Sequence, residues 1–406
     1  MRVAVIGAGF SGMLAAYLLE KAGTEVTIYE KEEHIGGHCR TLFSKGVYTD
    51  IGTVFSFSNK IKELLIELKV DYSEVFIYKN YVNECYQPTE MMSQNEVQLL
   101  LEELNKLSKL LLPHKTYLEG VRFDFVPEEL LVTFNSYANH HQLEQITKII
   151  TPLLSSFGLG NINHIQAYYV FKIFSLDILY AFIKGDKLLS LNKGMSNLIS
   201  RLSENISDIR YSLEVINVEV VNKKVKIESP YGHDYFDKVL ITTKLPKDVI
   251  KDTLYNTLMK KIETNPFISA VYEVHNKHLP TTYFKSNFGQ NGKIQFFYTK
   301  RQSARTTLVA YTYGKISKSA IDGMTDELAN VGVDIKQLIT VKQWYIFPHL
   351  KARDLTSHFY TDINTHQKTN PVCLIGSLVT EPSLDKLYVS VKECVNDIIQ
   401  YDRDNK

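Results

Sequence analysis

The sequence predicts an α/β fold in which one discontinuous domain carries a mainly helical insertion and a second insertion built on an antiparallel sheet. Three observations lead to this fold class: an apolar strand that enters a glycine-rich turn at the start of the chain, leucine-rich helical periodicity after residue 60, and period-two alternation after residue 266. The expected division assigns residues 1–59, 187–265 and 345–406 to the first domain, 60–186 to the helical insertion and 266–344 to the sheet insertion. A chain of 406 residues is long enough for this arrangement.

The first strand runs into the motif Gly7-x-Gly9-x-x-Gly12 and then into a helix. In this motif the first glycine permits a tight turn, the second lets the backbone approach a pyrophosphate, and the third lets helix and strand pack closely. A second strand, Glu25–Tyr29, ends at Glu30, whose carboxylate is placed to bind ribose hydroxyls. This order predicts a Rossmann-like dinucleotide-binding domain. The residues expected to contact the dinucleotide here are Gly7, Gly9, Phe10, Ser11, Gly12, Glu30 and Lys31.

A second glycine-rich segment indicates which dinucleotide is bound. It contains Gly36-Gly37-His38 and, further on, Gly52. This segment resembles the second fingerprint of the FAD-dependent amine oxidase and protoporphyrinogen oxidase superfamily, whose FAD domains are of the GR2 type. The resemblance implies that the backbone of the glycine pair wraps the FAD pyrophosphate, and that His38 stands where the superfamily usually has Arg. The implied FAD contacts are Gly36, Gly37, His38, Gly52, Thr53 and Val54.

The later part of the chain resembles the returning half of such an FAD domain. A strand near Tyr211–Val218 carries Val215, whose backbone is implied to hold the adenine, and the last strand ends at Gly376. A closing helix is predicted over Ser383–Gln400, and the resemblance directs its N-terminus at the flavin. The implied contacts are Val215, Gly376, Ser377, Ser383 and Leu384. Ser377 stands in a position that is acidic in the superfamily. Cys373 lies within the last strand and not in the loop after it, where a cysteine could bond to the flavin, so non-covalent FAD is expected.

Composition excludes several other classes of protein. A formal net charge of +1 gives no field that would gather nucleic acid. The four cysteines show no metal-ligand spacing, and His140 and His141 point apart on a helix, so no metal site is predicted. The small number of cysteines and the start of the first strand at Arg2 lead us to expect a cytoplasmic protein without a signal peptide.

One apolar stretch, Ala167–Ile183, invites comparison with a membrane span. It contains Lys172 and Asp177 and is shorter than the roughly 20 apolar residues that cross a bilayer. We therefore predict one buried or pocket-lining helix and no transmembrane segment, with transient contact with a lipid surface as the alternative.

The motifs also limit the chemistry. No second dinucleotide motif follows a strand, so NAD(P)H is not expected as the hydride donor, and the substrate itself must supply the hydride to the flavin. Either oxygen then takes the electrons, as in an oxidase, or the substrate takes the hydride back, as in an isomerase. The 25 Tyr and 20 Phe residues suit a dry substrate pocket. By resemblance to amine oxidases, Trp344 and Tyr345 are expected to flank the substrate.

A more specific resemblance is carried by Phe157-Gly158-Leu159-Gly160, by Phe182-x-Lys184-Gly185-Asp186 and by Trp344-Tyr345-x-Phe347-Pro348-His349. These motifs are similar to those of the bacterial polyenoic fatty acid isomerases, which remove a hydride from between two double bonds of a fatty acid and return it elsewhere. The resemblance implies a small-molecule substrate, a long-chain fatty acid, whose carboxylate is held by Phe182 and by Lys79, the latter replacing an Arg.

Two alternatives stay open at this point. One is an amine oxidase or desaturase that passes electrons to oxygen, for which Lys277 is the candidate flavin-side lysine. The other is a non-catalytic flavin-binding protein, because His38 and Ser377 depart from the superfamily pattern.

Overall fold

The computed structural model describes residues 1–56, 60–76, 79–302 and 304–404. Its strands are β1 (Arg2–Ile6), β2 (Glu25–Tyr29), β3 (Thr41–Ser44), β4 (Val47–Asp50), β5 (Tyr72–Val75), β6 (Lys79–Val82), β7 (Pro88–Thr89), β8 (Leu188–Leu191), β9 (Asp208–Arg210), β10 (Asn217–Val221), β11 (Lys224–Ser229), β12 (Gly232–Phe236), β13 (Lys238–Ile241), β14 (Ile262–Val274), β15 (Thr281–Phe284), β16 (Ile294–Gln302), β17 (Arg305–Tyr313), β18 (Ile335–Leu350) and β19 (Val372–Leu374).

The helices are α1 (Phe10–Lys21), α2 (Lys62–Glu67), α3 (Gln94–Leu111), α4 (Lys115–Glu119), α5 (Phe134–His140), α6 (Glu144–Ser156), α7 (Ala167–Ile173), α8 (Leu176–Lys184), α9 (Met195–Ser203), α10 (Thr253–Lys261), α11 (Lys318–Asn330), α12 (Phe359–Gln367) and α13 (Leu384–Asp404). Short 3₁₀ turns occupy Leu112–His114, Glu128–Leu130, Lys285–Asn287 and Gly376–Leu378.

A five-stranded parallel sheet forms the layer that carries the Gly7-x-Gly9-x-x-Gly12 motif. Its strand order is β19-β13-β1-β2-β9, and β1 pairs in register with both β2 and β13. Apolar side chains of α1, α9 and α13 form one core with β1 and β2. Because the strands are parallel, the segments that follow β1, β2, β13 and β19 all emerge at the same edge, where ligands bind in open α/β sheets. The predicted α/β fold is confirmed.

The predicted strand over 211–218 is wrong. β9 ends at Arg210, β10 begins at Asn217, and Val215 lies in the segment between them. Ser212 has a φ of +49°, and the N–H of Leu213 donates to the carbonyl oxygen of Glu30 at 2.8 Å. The chain therefore turns across the end of β2 instead of continuing as a strand.

A seven-stranded sheet of order β18-β14-β17-β16-β15-β6-β7 forms the second layer. Its pairings are antiparallel except for β6 with β15. One face packs on α11 through an apolar cluster that includes Val82, Phe284, Phe297, Ala310, Met324 and Leu328. Two of its strands, β6 and β7, come from the segment expected to be helical, and β18 passes through the expected boundary between 344 and 345. The expected boundary at residue 59 lies outside the described residues, and the division into domains stays a prediction.

The apolar stretch 167–183 forms two helices, α7 and α8, so the prediction of one helix is wrong. Ser175 has an extended backbone, and its hydroxyl accepts a hydrogen bond from the N–H of Ile178, which begins α8. Gly185 ends α8 in the left-handed conformation. The part of the chain that the structure describes contains neither a helix long and apolar enough to cross a membrane nor a group of three His, Cys, Asp or Glu residues that could hold a metal ion.

Ser175→Ala is expected to lower the free energy of unfolding by about 0.5–1 kcal/mol, because it removes the N-cap acceptor of α8. Urea denaturation measures the change. Ser203→Ala, at the last residue of α9, is the control and should change stability by less than about 0.5 kcal/mol. If the Ser175 variant and the wild type unfold at the same urea concentration, the hydroxyl does not cap the helix.

Candidate functional site

The three motif glycines have different roles. Gly7 has a φ of +100°, and a Cβ on Gly12 would lie 2.0 Å from the carbonyl oxygen of Gly7, so both positions require glycine for the fold itself. Gly9 does not: its φ is −73°, and a Cβ there would meet only the Cα of Gly37, at 3.9 Å. The open space beside Gly9 fits the approach of a pyrophosphate. The first turn of α1 has no acidic residue, which leaves its N–H groups free of a competing anion.

The second glycine loop lies against the first. The N–H of Gly36 donates to the carbonyl oxygen of Ala8 at 2.8 Å, and Gly36 bridges to Gly9. A Cβ on Gly52 would lie 2.2 Å from the carbonyl oxygen of His38, which also accepts a hydrogen bond from the N–H of Thr53. The structure therefore brings the predicted contacts of both loops to one cleft.

Glu30 is buried at the end of β2, with 8% of its surface exposed. Its carboxylate accepts hydrogen bonds from the N–H of Ala8 at 2.7 Å and from the N–H of Glu32 at 2.9 Å. Each carboxylate oxygen has a further lone pair, so the group can still accept hydrogen bonds from ribose hydroxyls. Val215 is buried in the segment that crosses this strand end, whereas Lys31 is exposed.

The C-terminal loop reaches the same cleft. A Cβ on Gly376, which has a φ of +72°, would lie 2.8 Å from Oγ of Ser11. Ser377 lies in the following 3₁₀ turn. The Ser383 hydroxyl donates to the Glu381 carboxylate at 2.9 Å and accepts from the N–H of Lys386 at 3.4 Å, so it orders the start of α13. Phe10 and Leu384 are buried beside these groups.

His38 joins the glycine loop to β18. Its imidazole forms a hydrogen bond with the Tyr345 backbone, and its ring meets the Trp344 ring edge-on at 5.6 Å. Burial lowers the pKa of His38, although the backbone hydrogen bond opposes this shift. The residue as a whole is exposed to solvent, and its imidazole is held by the backbone hydrogen bond and by the Trp344 ring.

Trp344 and Tyr345 do not face one common space. Trp344 is buried, donates from Nε1 to the Ser269 hydroxyl at 2.8 Å, and lies 3.4 Å from the position of a Cβ on Gly52. Adjacent strand residues point to opposite faces, and Tyr345 is 54% exposed. Trp344 thus contacts the glycine loops, while the side chain of Tyr345 points away from them.

Stacked rings cross the face of the seven-stranded sheet opposite α11. We call this set the aromatic face; its members are Tyr81, Tyr283, Phe296, Tyr311 and Phe267. Successive ring centroids lie 4.8–5.7 Å apart with interplanar angles of 5–27°. Sequence reasoning missed this set, because its alignment depends on the register between five strands.

The two ends of the aromatic face carry different groups. Phe267 is in register with Trp344, which contacts the glycine loop at Gly52. At the other end, Lys79 shares a face with Tyr81, and its Nζ lies 3.1 Å from the centroid of the Phe182 ring. The structure therefore brings Lys79 and Phe182 together, about 24 Å from Trp344 if five strand spacings are counted.

Lys79 is half-buried and has no acidic partner within the described residues. Burial lowers the pKa of its ammonium group to about 8. A cation in this setting lacks the counter-charge that buried charges normally have.

Two tyrosine hydroxyls near this face lack a partner in the part of the chain that the structure describes. They belong to Tyr81 and Tyr311, which are 7% and 3% exposed. Two other tyrosines of this sheet have partners: the Tyr298 hydroxyl donates to the Asp50 carbonyl oxygen, and the Tyr313 hydroxyl accepts from the N–H of Gly160 at 2.9 Å. The spare hydrogen-bonding groups therefore lie at Tyr81 and Tyr311.

A cavity of about 250 Å³ lies between the loop after Gly52 and strands β15 and β16. Its wall is mainly apolar and aromatic, with Lys300 at one side, and includes Val54, Phe55, Phe76, Leu279, Thr281 and Tyr298. Val54, an expected FAD contact, and Thr281, the register partner of Lys79, both line it. The cavity thus connects the predicted cofactor loop with the strand next to Lys79.

Glu381 is a buried acid in the loop before α13, and sequence reasoning missed it. It is 1% exposed, and one carboxylate oxygen has no partner within the described residues. Burial raises the pKa of Glu381 to about 7, although the nearby Lys386 and Lys172 oppose this shift. Lys172 is itself buried and donates to the carbonyl oxygens of Tyr117 and Gly120.

Glu381→Gln is expected to make the protein more stable above pH 7 and to leave stability unchanged near pH 4.5. The folded pKa of about 7 lies above the ordinary value of 4.5, so the folded state binds the extra proton, and this group's contribution to stability falls as pH rises between these values. Thermal unfolding at several pH values measures the difference. Asp404→Asn, at the exposed end of α13, is the control. A difference between variant and wild type that does not change with pH would contradict the prediction.

Comparison with known proteins agrees with this geometry. The model of the family described as flavin containing amine oxidoreductases matches residues 10–326. The 4,4'-diapophytoene desaturases (4,4'-diaponeurosporene-forming) of Staphylococcus aureus strains Newman and USA300 are each 24% identical to this chain over 281 residues. The matches cover 61% of this chain and 56% of each desaturase, so the chain spans little more than half of their length.

Solved structures show the same fold over nearly the whole chain. A CLA-producing fatty acid isomerase from P. acnes has a TM-score of 0.88 at 20% identity, with 98% of both chains covered. Cyclohexylamine oxidase from Brevibacterium oxydans has a TM-score of 0.77 at 13% identity, with coverage of 98% and 99%. These likenesses concern the fold. The superfamily predicted from the glycine motifs is confirmed, and the family model implies a flavin cofactor. The match over residues 10–326 shows that the chain belongs to the flavin containing amine oxidoreductase family.

Proposed function

We propose that this chain is an enzyme with non-covalently bound FAD that isomerises double bonds of a polyunsaturated fatty acid, by removing a hydride from the substrate and returning it to another carbon. The observation that carries the proposal is the Lys79–Phe182 contact at the end of the aromatic face remote from Trp344. A bound flavin supplies the hydride acceptor.

The cleft at the edge of the parallel sheet fits FAD. The open space at Gly9, the paired glycine loops and the buried Glu30 carboxylate are the features that a dinucleotide needs. Cys373 is buried within β19, and burial raises the pKa of its thiol, which disfavours a thiolate that could attack the flavin. The residues proposed to hold FAD are Gly7, Gly9, Phe10, Ser11, Gly12, Glu30, Lys31, Gly36, Gly37, His38, Gly52, Thr53, Val54, Val215, Gly376, Ser377, Ser383 and Leu384.

Lys79 and Phe182 are proposed to bind the carboxylate of the substrate. A half-buried ammonium group without an acidic partner is stabilised by an anion, and a fatty acid supplies one carboxylate per molecule. The Phe182 ring lies against the same ammonium group in cation–π geometry and shields it from water. The head group would therefore be fixed at a distance from the reacting carbons.

The aromatic face is proposed to position the hydrocarbon chain. Its rings are largely buried and present apolar surface, which excludes water and restricts the conformations of a bound chain. Trp344 marks the end nearest to the nucleotide-binding loops. Tyr345 faces away from those loops, so we assign the substrate side of β18 to Trp344.

A second candidate is a desaturase that passes electrons to an external acceptor. The desaturase relatives favour it, since 4,4'-diapophytoene desaturases match over 281 residues. An amine oxidase has less support. Its candidate residue Lys277 is exposed and lies beyond the end of β14. That end of the strand is itself about 23 Å from Phe267 along β14.

The test mixes the purified yellow protein with linoleate, and separately with putrescine, under nitrogen and in air. We expect a conjugated-diene absorbance with linoleate under both gases and no oxygen uptake. A product with an additional double bond, formed only with an acceptor, would replace the isomerase by the desaturase. Hydrogen peroxide formed from putrescine would indicate an amine oxidase. Binding of flavin with no reaction of any substrate would indicate a non-catalytic protein.

A further inference from the structure

We propose that Tyr81 is the second head-group residue of this site: its hydroxyl donates a hydrogen bond to the carboxylate oxygen that Lys79 leaves free. This inference rests on the proposed function, because it requires a substrate that ends in a carboxylate.

The strand geometry places the two residues together. Lys79 and Tyr81 are two residues apart on β6, so their side chains leave the same face of the sheet. They are in register with Thr281 and Tyr283 of β15. Val82 belongs to the apolar cluster on the opposite face, which confirms the alternation along this strand. Tyr81 therefore projects from the same face of the sheet as Lys79, whose ammonium group lies against the Phe182 ring.

The Tyr81 hydroxyl has no partner within the described residues, although the side chain is only 7% exposed. A buried hydroxyl without a hydrogen bond lowers stability, and a phenylalanine at this position would avoid that cost. Burial raises the pKa of Tyr81 above its usual range, so the phenol stays protonated and can donate. An acceptor would satisfy this O–H group, and a carboxylate oxygen is a strong acceptor.

Lysine alone leaves a carboxylate incompletely bound. An ammonium group is a compact charge, whereas a guanidinium group can donate to both carboxylate oxygens at once. In a site shielded from water, the second oxygen needs its own donor. Tyr81, on the same strand face, supplies that donor, and together the two residues would bind both oxygens.

The experiment measures binding of linoleate and of linoleyl alcohol to the flavin-loaded protein by displacement of a fluorescent polyenoic acid. Tyr81→Phe should weaken linoleate binding about three- to tenfold and leave alcohol binding unchanged, since only the carboxylate needs the donor. Without ligand, the variant should unfold at the same temperature as the wild type or higher. Tyr272→Phe is the matched control: this buried tyrosine of β14 faces α11, and its hydroxyl bonds to Thr325 at 3.3 Å. Its binding of both ligands should be unchanged.

The same substitution is also tested in a second variant, Lys79→Arg. In Lys79→Arg the guanidinium group can bind both oxygens, so adding Tyr81→Phe there should weaken linoleate binding less than about twofold. Equal losses for linoleate and the alcohol would show that Tyr81 acts by packing only and would overturn the inference. Unchanged linoleate binding in Tyr81→Phe, with weakened binding in Lys79→Met, would overturn the role of Tyr81 and leave the proposed function intact. If the wild type does not bind linoleate, the proposed function itself fails.

Discussion

Gly9→Val is expected to give a folded protein that contains no flavin. The backbone of Gly9 has a φ of −73°, which any residue adopts, and a Cβ would meet no protein atom closer than the Cα of Gly37 at 3.9 Å. The protein itself therefore tolerates a side chain there. A branched side chain would fill the space that the pyrophosphate needs, so the cofactor should lose its binding site while the sheet and α1 remain.

The measurement is the ratio of flavin to protein after purification, together with circular dichroism. Flavin is quantified after acid precipitation, which should release all of it from the wild type because no covalent bond is expected. Gly323→Val in α11 is the matched control, since a Cβ there also has its nearest contact at 3.9 Å, with the Gly292 carbonyl oxygen. A yellow Gly9 variant would contradict the assignment of the pyrophosphate site. If the Gly9 variant is unfolded and the Gly323 variant is folded, the conclusion that the space beside Gly9 is open would be wrong.

Local motifs account for what the sequence could predict. The turn at Gly7, the close packing at Gly12 and the acid at Glu30 are each needed within one strand–helix–strand unit, so their spacing is visible in the chain. The two-residue period after residue 266 likewise predicts a sheet, because side chains alternate along any strand. These patterns lie within short segments, so they can be recognised without knowledge of the rest of the fold.

The other features depend on contacts between distant segments. The aromatic face needs the register of β6, β15, β16, β17 and β14, which no single segment specifies. The break between α7 and α8 is an exception, because it depends on a local hydroxyl cap at Ser175 that competes with the continuous apolar pattern around it. The hydrogen bond between His38 and the Tyr345 backbone joins segments about 300 residues apart. Tertiary pairing decided the aromatic face and the contact of His38 with Tyr345, and local propensity did not.

Lys79→Met is expected to raise KM for linoleate about 10- to 100-fold and to leave kcat nearly unchanged. Removing one partner of a shielded charge pair costs about 2–5 kcal/mol when the pair is fully buried, and Lys79 is half-buried, so the lower part of that range applies. The head group lies at the far end of the aromatic face from Trp344, so its loss should weaken ground state and transition state alike. Steady-state kinetics of diene formation measures both constants.

The pH dependence provides the stronger argument. The pKa of Lys79 is lowered to about 8, so the ammonium form is complete well below pH 8 and is lost as pH rises through that value. KM for linoleate should therefore rise above pH 8 in the wild type and stay flat in Lys79→Met. Lys187→Met is the control, because Lys187 is exposed beside the Phe76 ring at 5.1 Å. If KM of the wild type rises above pH 8 but the Lys79 variant rises with it, another group binds the carboxylate. If neither rises and KM is unchanged by the substitution, the charge at Lys79 does not contact the substrate, and the contact with Phe182 serves only the packing of α8 against β6.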